Sequence, residues 1–215
     1  MEIARLIGSL KKMVCAQGTG NGLLAPGTCR RCAVLCCALP LAMLLNSCVS
    51  GDREHKVVIS VPEQKMVVLK LGIPIAEYPV STSKYGLGDR PGSCDTPEGK
   101  FEIAKKIGDN APSGEVFRNR RPTGEVLHPD APGRDPIVSR ILWLRGLDGN
   151  NRNAYGRCIY IHGTAEERNI GKAVSYGCIR MKSADVIELY KTVGTGAEVE
   201  IINTPLQTVL PQTGG

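Results

Sequence analysis

Glycine and proline cut this chain into short runs, and that constrains its fold more than any other feature. With 25 Gly and 14 Pro among 215 residues, few stretches can sustain a helix, because Pro removes a backbone donor and Gly disfavours the helical state. The runs between the breaks are β-branched and alternating. Residues 56–61 place Val57, Ile59 and Val61 on one face, and residues 64–71 do the same with Val67, Leu69 and Leu71. Gly72-Ile73-Pro74 turns the chain into a third apolar run ending near Val80. Further strands are expected over 101–104, 137–144, 157–162 and 197–202. Residues 106–136, rich in Gly, Pro, Asn, Asp and Arg, read as a long irregular excursion. Hydrophobic residues make up 42% of the chain and aromatics only 4%, so the core is aliphatic. One helix is clear: Ser183 as N-cap, Asp185 in the first turn, then Val186, Leu189, Tyr190 and Val193 along one face, with Gly194 as the stop. The expected fold class is mainly β, a single domain with one packed helix.

The net charge of +6 suggests a nucleic-acid binder until it is located. Arg5, Lys11, Lys12, Arg30 and Arg31 stand against Glu2 alone, so most of the excess lies ahead of residue 48. Basic residues interleaved with aromatics are missing from the rest, and no nucleic-acid partner is expected. Residues 30–48 read as a secretory signal: two arginines, an apolar run too short to span a bilayer comfortably, then small and polar residues. The ending Leu45-Asn46-Ser47-Cys48 resembles the bacterial lipoprotein signal, which implies lipid on Cys48. The expected layout is a removed leader over 1–47, a lipidated polar tether over 48–56, a catalytic domain over 57–203 and a flexible tail over 204–215. The domain would then stand outside the cytoplasm, facing the periplasm or cell envelope and held to a membrane through Cys48.

Nine cysteines sort accordingly. Five precede the cut and Cys48 carries lipid, which leaves Cys94, Cys158 and Cys178. An odd count in an exported domain suggests one free thiol; a Cys94–Cys158 pairing would leave Cys178 free, and the sequence does not decide whether it forms.

The chemistry is concentrated in residues 161–181, IHGTAEERNIGKAVSYGCIRM. A thiol is a nucleophile only as thiolate and needs a base nearby. His162, followed by Gly163 at a strand end, is that base. Cys178, just ahead of the helix, is the nucleophile, favoured by the helix N-terminus. Gly177 allows a tight turn that aims backbone amides at a developing oxyanion. Either a backbone carbonyl or the Ser175 hydroxyl can hold the second nitrogen of His162. His128 and Tyr155 are candidate cleft-lining residues, more simply read as solvated loop positions. A zinc site built from Cys94, His128, Cys158, His162 and Cys178 lacks any CxxC or HxxxH spacing, so no metal is expected.

His162-Gly163-Thr164, Ile170-Gly171 and the run Ser175-Tyr176-Gly177-Cys178-Ile179-Arg180-Met181 closely resemble the active-site signature of the bacterial L,D-transpeptidases, the YkuD-type catalytic domain. Asp95-Thr96-Pro97-Glu98-Gly99-Lys100-Phe101 resembles a second segment of that family. The resemblance spans about residues 56–203. It implies a β-sandwich-like domain with the Cys in a cleft under a flap. Cys178 would form a thioester at the third residue of a peptidoglycan stem peptide, D-Ala would leave, and an amine on another stem or an envelope protein would resolve it. His162 would act as base and then acid, with Ser175 as its preferred support and a capping role as the alternative for Ser175. Arg180, Tyr176, Gly163 and Thr164 would bind substrate, with a structural ion pair as the equal alternative for Arg180. No cofactor is implied, and carbapenems are the expected thiol traps. Many relatives carry His where this chain has Tyr176. An L,D-carboxypeptidase, with water as acceptor, and a non-catalytic wall-binding lipoprotein remain the alternatives.

Overall fold

The computed structural model describes residues 51–210; the expected leader and Cys48 lie outside the described residues. The strands are β1 (His55–Ser60), β2 (Lys65–Lys70), β3 (Ile73–Pro79), β4 (Gly99–Ile107), β5 (Glu115–Arg118), β6 (Arg121–Val126), β7 (Ile137–Gly146), β8 (Tyr160–Thr164), β9 (Ile179–Met181) and β10 (Glu198–Ile202), with the helix α1 at Ser183–Thr192. The fold is mainly β, as the glycine and proline punctuation requires.

The strands follow the order β3-β2-β1-β10-β4-β7-β5-β6, and β8, carrying β9, branches off β7. Two pairings are parallel, β1 with β10 and β8 with β9. Each of those pairs encloses a long connection, which parallel neighbours need. The branch point matters most for function. β7 pairs β4, β5 and β8, and its register shifts between Val138 and Ile141 where it faces β8. The two arms of the sheet bury one common core. Val57, Ile59, Val68, Phe101, Ile103 and Val199 come from one arm, and Leu142, Ile161, Ile179 and Met181 from the other. Val186, Leu189 and Tyr190 of α1 fill the same space. That aliphatic content, fully withdrawn from water, supplies the main stabilisation of the fold.

Four sequence expectations change. The excursion over 106–136 contains order: β4 runs on to Ile107, and β5 and β6 form a hairpin. Every residue of β6 is exposed, so hydrophobic periodicity had nothing to report there. Ser183 is the first helical residue; Lys182 occupies the cap, with no side-chain cap bond. Residues 51–54 are not free tether, since Asp52 accepts from the Gly194 N–H at 2.6 Å and from the His55 N–H at 3.1 Å. The start of the tail is also held: Leu206 is buried against Val58, Val67 and Leu69 on the outer face of β1 and β2.

Candidate active site

The β8–β9 pair sets the site. Parallel register places His162 beside Arg180 and Ile161 beside Ile179. Side chains alternate along a strand. Ile161, Ile179 and Met181 therefore enter the core, while Tyr160, His162, Cys178 and Arg180 share the opposite face. On that face Cys178 packs with Phe117 of the hairpin, Ile141 and Tyr160. The hairpin thus stands against the cysteine, where the family resemblance implied a flap.

His162 is the third residue of β8, inside the strand and not at its end. Its ring is buried, and Nδ1 donates to the Gly163 carbonyl at 2.8 Å, which leaves Nε2 as the basic nitrogen. Burial pulls the imidazole down to about 4, with the Gly163 bond opposing and the Arg180 charge adding to the fall. Cys178 is followed by β9 and not directly by α1, so the helix N-terminus does not begin at the thiol. Its Sγ accepts from the Tyr160 N–H at 3.4 Å and donates to the Cys158 carbonyl at 3.3 Å. Burial pushes the thiol up to about 11 against the Tyr160 bond and the Arg180 charge. Part of the residue stays open to solvent, and water there moderates that rise. Among the described residues no hydrogen bond joins His162 to Cys178. At neutral pH the pair rests as thiol and neutral imidazole, not as the thiolate the sequence suggested.

Ser175 has a different partner from the one expected. Its hydroxyl donates to the Cys178 carbonyl at 2.6 Å and accepts from the Gly177 N–H at 3.3 Å. It shapes the cysteine turn and leaves His162 to Gly163. Gly177 has φ 115, and a Cβ there would stand 3.2 Å from the Asp95 carbonyl, so both its backbone conformation and its space require glycine. Thr96 explains the second motif: buried, its hydroxyl accepts from the Ser83 N–H at 2.9 Å and donates to the Gly177 carbonyl at 3.1 Å. Arg157 braces the adjoining loop through the Gly88, Ser93 and Asp95 carbonyls and a buried ion pair with Asp89 at 2.9 Å.

The residues expected to bind substrate divide. Arg180 pairs with Asp135 at 2.7 Å, which is the structural alternative raised for it. Thr164 is buried and its hydroxyl donates to the same Asp135 carboxylate. Gly163 is likewise buried, and a Cβ there would lie 2.6 Å from the Val138 carbonyl. Thr164 and Gly163 are both withdrawn from solvent. Tyr176 is exposed and joins Lys84 and Tyr85: Lys84 Nζ lies 3.3 Å from its hydroxyl and 4.6 Å from its ring centroid, and the two tyrosine rings are 5.7 Å apart. Lys84 and Tyr85 were missed in the sequence because nothing local ties residue 84 to residue 176. His128 is exposed, while Tyr155 stacks on Trp143 at 4.1 Å. Cys94, Cys158 and Cys178 are all free thiols, so the Cys94–Cys158 pairing that the sequence left open is not formed. Among the described residues no three His, Cys, Asp or Glu side chains gather to hold a metal.

A buried imidazole on β8 and a partly open thiol just ahead of the parallel strand β9 thus lie over a turn fixed by Ser, Thr and Gly. Residues 54–201 match the family described as YkuD, the L,D-transpeptidase catalytic domain, and the chain belongs to that family. Among curated proteins, it is 35% identical over 106 residues to YqjB of Bacillus subtilis (strain 168), covering 49% of this chain and 51% of YqjB. It is 36% identical over 113 residues to YbiS of Escherichia coli (strain K12), covering 51% of this chain and 33% of YbiS. Both relatives carry L,D-transpeptidase names. The chain spans about half or less of the length of these relatives. Among solved structures, L,D-transpeptidase 3 from Mycobacterium tuberculosis in complex with a faropenem-derived adduct aligns with TM-score 0.45 and 18% identity, over 69% of this chain and 60% of that one.

Proposed function

We propose that the chain is a peptidoglycan L,D-transpeptidase working through Cys178. The reading is carried by one observation: the family's Cys and His lie on one face of the β8–β9 pair, with Nδ1 of His162 committed to Gly163 and Nε2 left free. Cys178 Sγ bonds to the carbonyl carbon of the third stem residue as its proton leaves for His162 Nε2. The two groups are neutral at rest, so proton transfer accompanies attack. Gly177 spends its amide on Ser175, and the Tyr176 and Cys178 amides are the donors assigned to the oxyanion. Collapse breaks the C–N bond to D-Ala, whose amine takes the proton from His162, and a thioester remains. An acceptor amine attacks next, returns a proton through His162 to sulfur, and forms the new amide. The acceptor is a second stem or an envelope-protein amine; water in its place gives the L,D-carboxypeptidase outcome. Lys84 with Tyr176 is placed to receive a substrate carboxylate.

The test is intact mass of the full chain incubated with a tetrapeptide stem, for wild type and Cys178→Ala. A covalent adduct on the wild type alone, with D-Ala released, is the expected outcome. Folded wild type that yields neither adduct nor D-Ala overturns the reading and promotes the wall-binding alternative. Anchoring follows from Arg30, Arg31 and the 45–48 motif: Cys48 carries lipid and the domain faces the envelope. Labelled fatty acid incorporated by the wild type and not by Cys48→Ala is the expected result.

A further inference from the structure

The tip of the β5–β6 hairpin carries Arg118, Asn119, Arg120 and Arg121 in succession. Arg118 and Arg121 are directly paired across the hairpin, where like charges repel. Asn119 and Arg120 form the turn at φ 50 and 64, a conformation suited to Asn but unfavourable for Arg. Two local costs are therefore concentrated at one tip, and among the described residues no acid forms an ion pair there. Lys105, Arg118, Arg120 and Arg121 have no ion pair among the described residues; Glu125, which lies near enough to feel Arg118, is held by Arg134.

These four cations line one open pocket of about 670 Å³ together with Ile107 and Trp143, and no carboxylate lines it. Arg120 is pre-positioned without a counter-charge. Its Nη1 donates to the Tyr160 hydroxyl at 3.3 Å and lies 3.7 Å from Cys158 Sγ, and its guanidinium sits 4.9 Å from the Trp143 ring centroid. Tyr155 stacks on Trp143, and the Trp143 Nε1–H donates to the Tyr155 carbonyl at 3.1 Å. The floor is thus rigid and aromatic, and the walls are cationic. Both phosphate and carboxylate suit arginine forks.

We propose that this pocket, which adjoins the thiol through Tyr160 and Cys158, binds a ligand bearing two or more oxyanion groups. The pocket requires neither Cys178 nor His162, so its test stands apart from that of the acyl-transfer reading. Trp143 is the chain's single tryptophan and reports directly on the pocket. The full chain is titrated with tripolyphosphate, citrate and acetate at constant ionic strength of about 0.15 M, where unspecific attraction is screened, following Trp emission and binding heat. The expected result is saturable binding of a polyvalent ion and none of acetate. Stronger binding of tripolyphosphate identifies a phosphate-bearing ligand, and stronger binding of citrate a carboxylate-bearing one. Arg118→Gln with Arg121→Gln is expected to weaken the preferred ion at least tenfold, while Lys182→Gln with Lys191→Gln on α1 leaves it unchanged. Because the arginine pair repels itself, the first variant retains its fold, checked by an unreduced melting temperature. Absence of saturable binding, or binding unaltered by the arginine changes, overturns the proposal.

Discussion

At the level of single residues, the site is governed by a buried imidazole and a partly open thiol displaced in opposite directions. His162 falls to about 4 and Cys178 rises to about 11, so the reactive pair stays neutral across the physiological range. The expected rate profile for acylation is flat from about pH 5 to 9 and declines below that as His162 takes a proton. A mechanism resting on a preformed thiolate would instead climb through the ordinary thiol range, so initial rates against pH separate the two. Stability follows the same group. Its folded value lies below the unfolded one near 6.5, so the unfolded chain binds the extra proton first. The contribution is complete above about pH 6.5 and is lost as pH falls toward 4, with a loss on the order of 3 kcal/mol. Denaturant titrations at pH 7 and pH 4.5 should show this loss for wild type and a smaller one for His162→Gln. Arg180 and Asp135 are a largely buried pair, and Asp135→Asn leaves a guanidinium without its partner. Roughly 3 kcal/mol of destabilisation is expected, the low end for broken buried pairs because both side chains keep some water contact.

Among the elements, the short loops that frame β9 do most of the positioning. Thr96 ties the 81–83 segment to the cysteine turn with one hydroxyl. Thr96→Val removes both bonds while keeping the shape, and should cost about 1–3 kcal/mol and slow carbapenem acylation of Cys178. Thr96→Ser should restore both readouts. These ties also show which parts of the architecture were legible beforehand. β1, β2, α1 and β10 could be read because each buries one periodic face. The proposed pair was picked from residues 161–181, since glycines and reactive side chains adjoin there in sequence. The β5–β6 hairpin was not: its second strand is wholly exposed and its turn is Asn-Arg, not the Asn-Gly that announces a hairpin. β9 was missed for its length, three residues. Ser175 was assigned to His162 because proximity in sequence cannot tell which side of a turn a hydroxyl faces. The state of Cys94 and Cys158 stayed open in the sequence because counting cysteines carries no geometry.

Across the whole molecule, the ends of the described chain are structural. Leu206 closes the outer face of β1 and β2, so Leu206→Ala should cost about 2–4 kcal/mol, measured as a lowered denaturation midpoint with an unchanged slope. β1 lies between β2 and β10, and its register pairs Val57 with Val199 and Ile59 with Ile201. The first strand made therefore waits for the last one before its second edge is filled, and the core that both strands cover closes only then. Pairing across so long a separation is slow, because the loop must be closed before the contacts reward it. A chain built in this order stays threadable until its final strand is free. It cannot lock into its native shape while β10 is held elsewhere, and that suits a domain whose proposed place of work lies across a membrane.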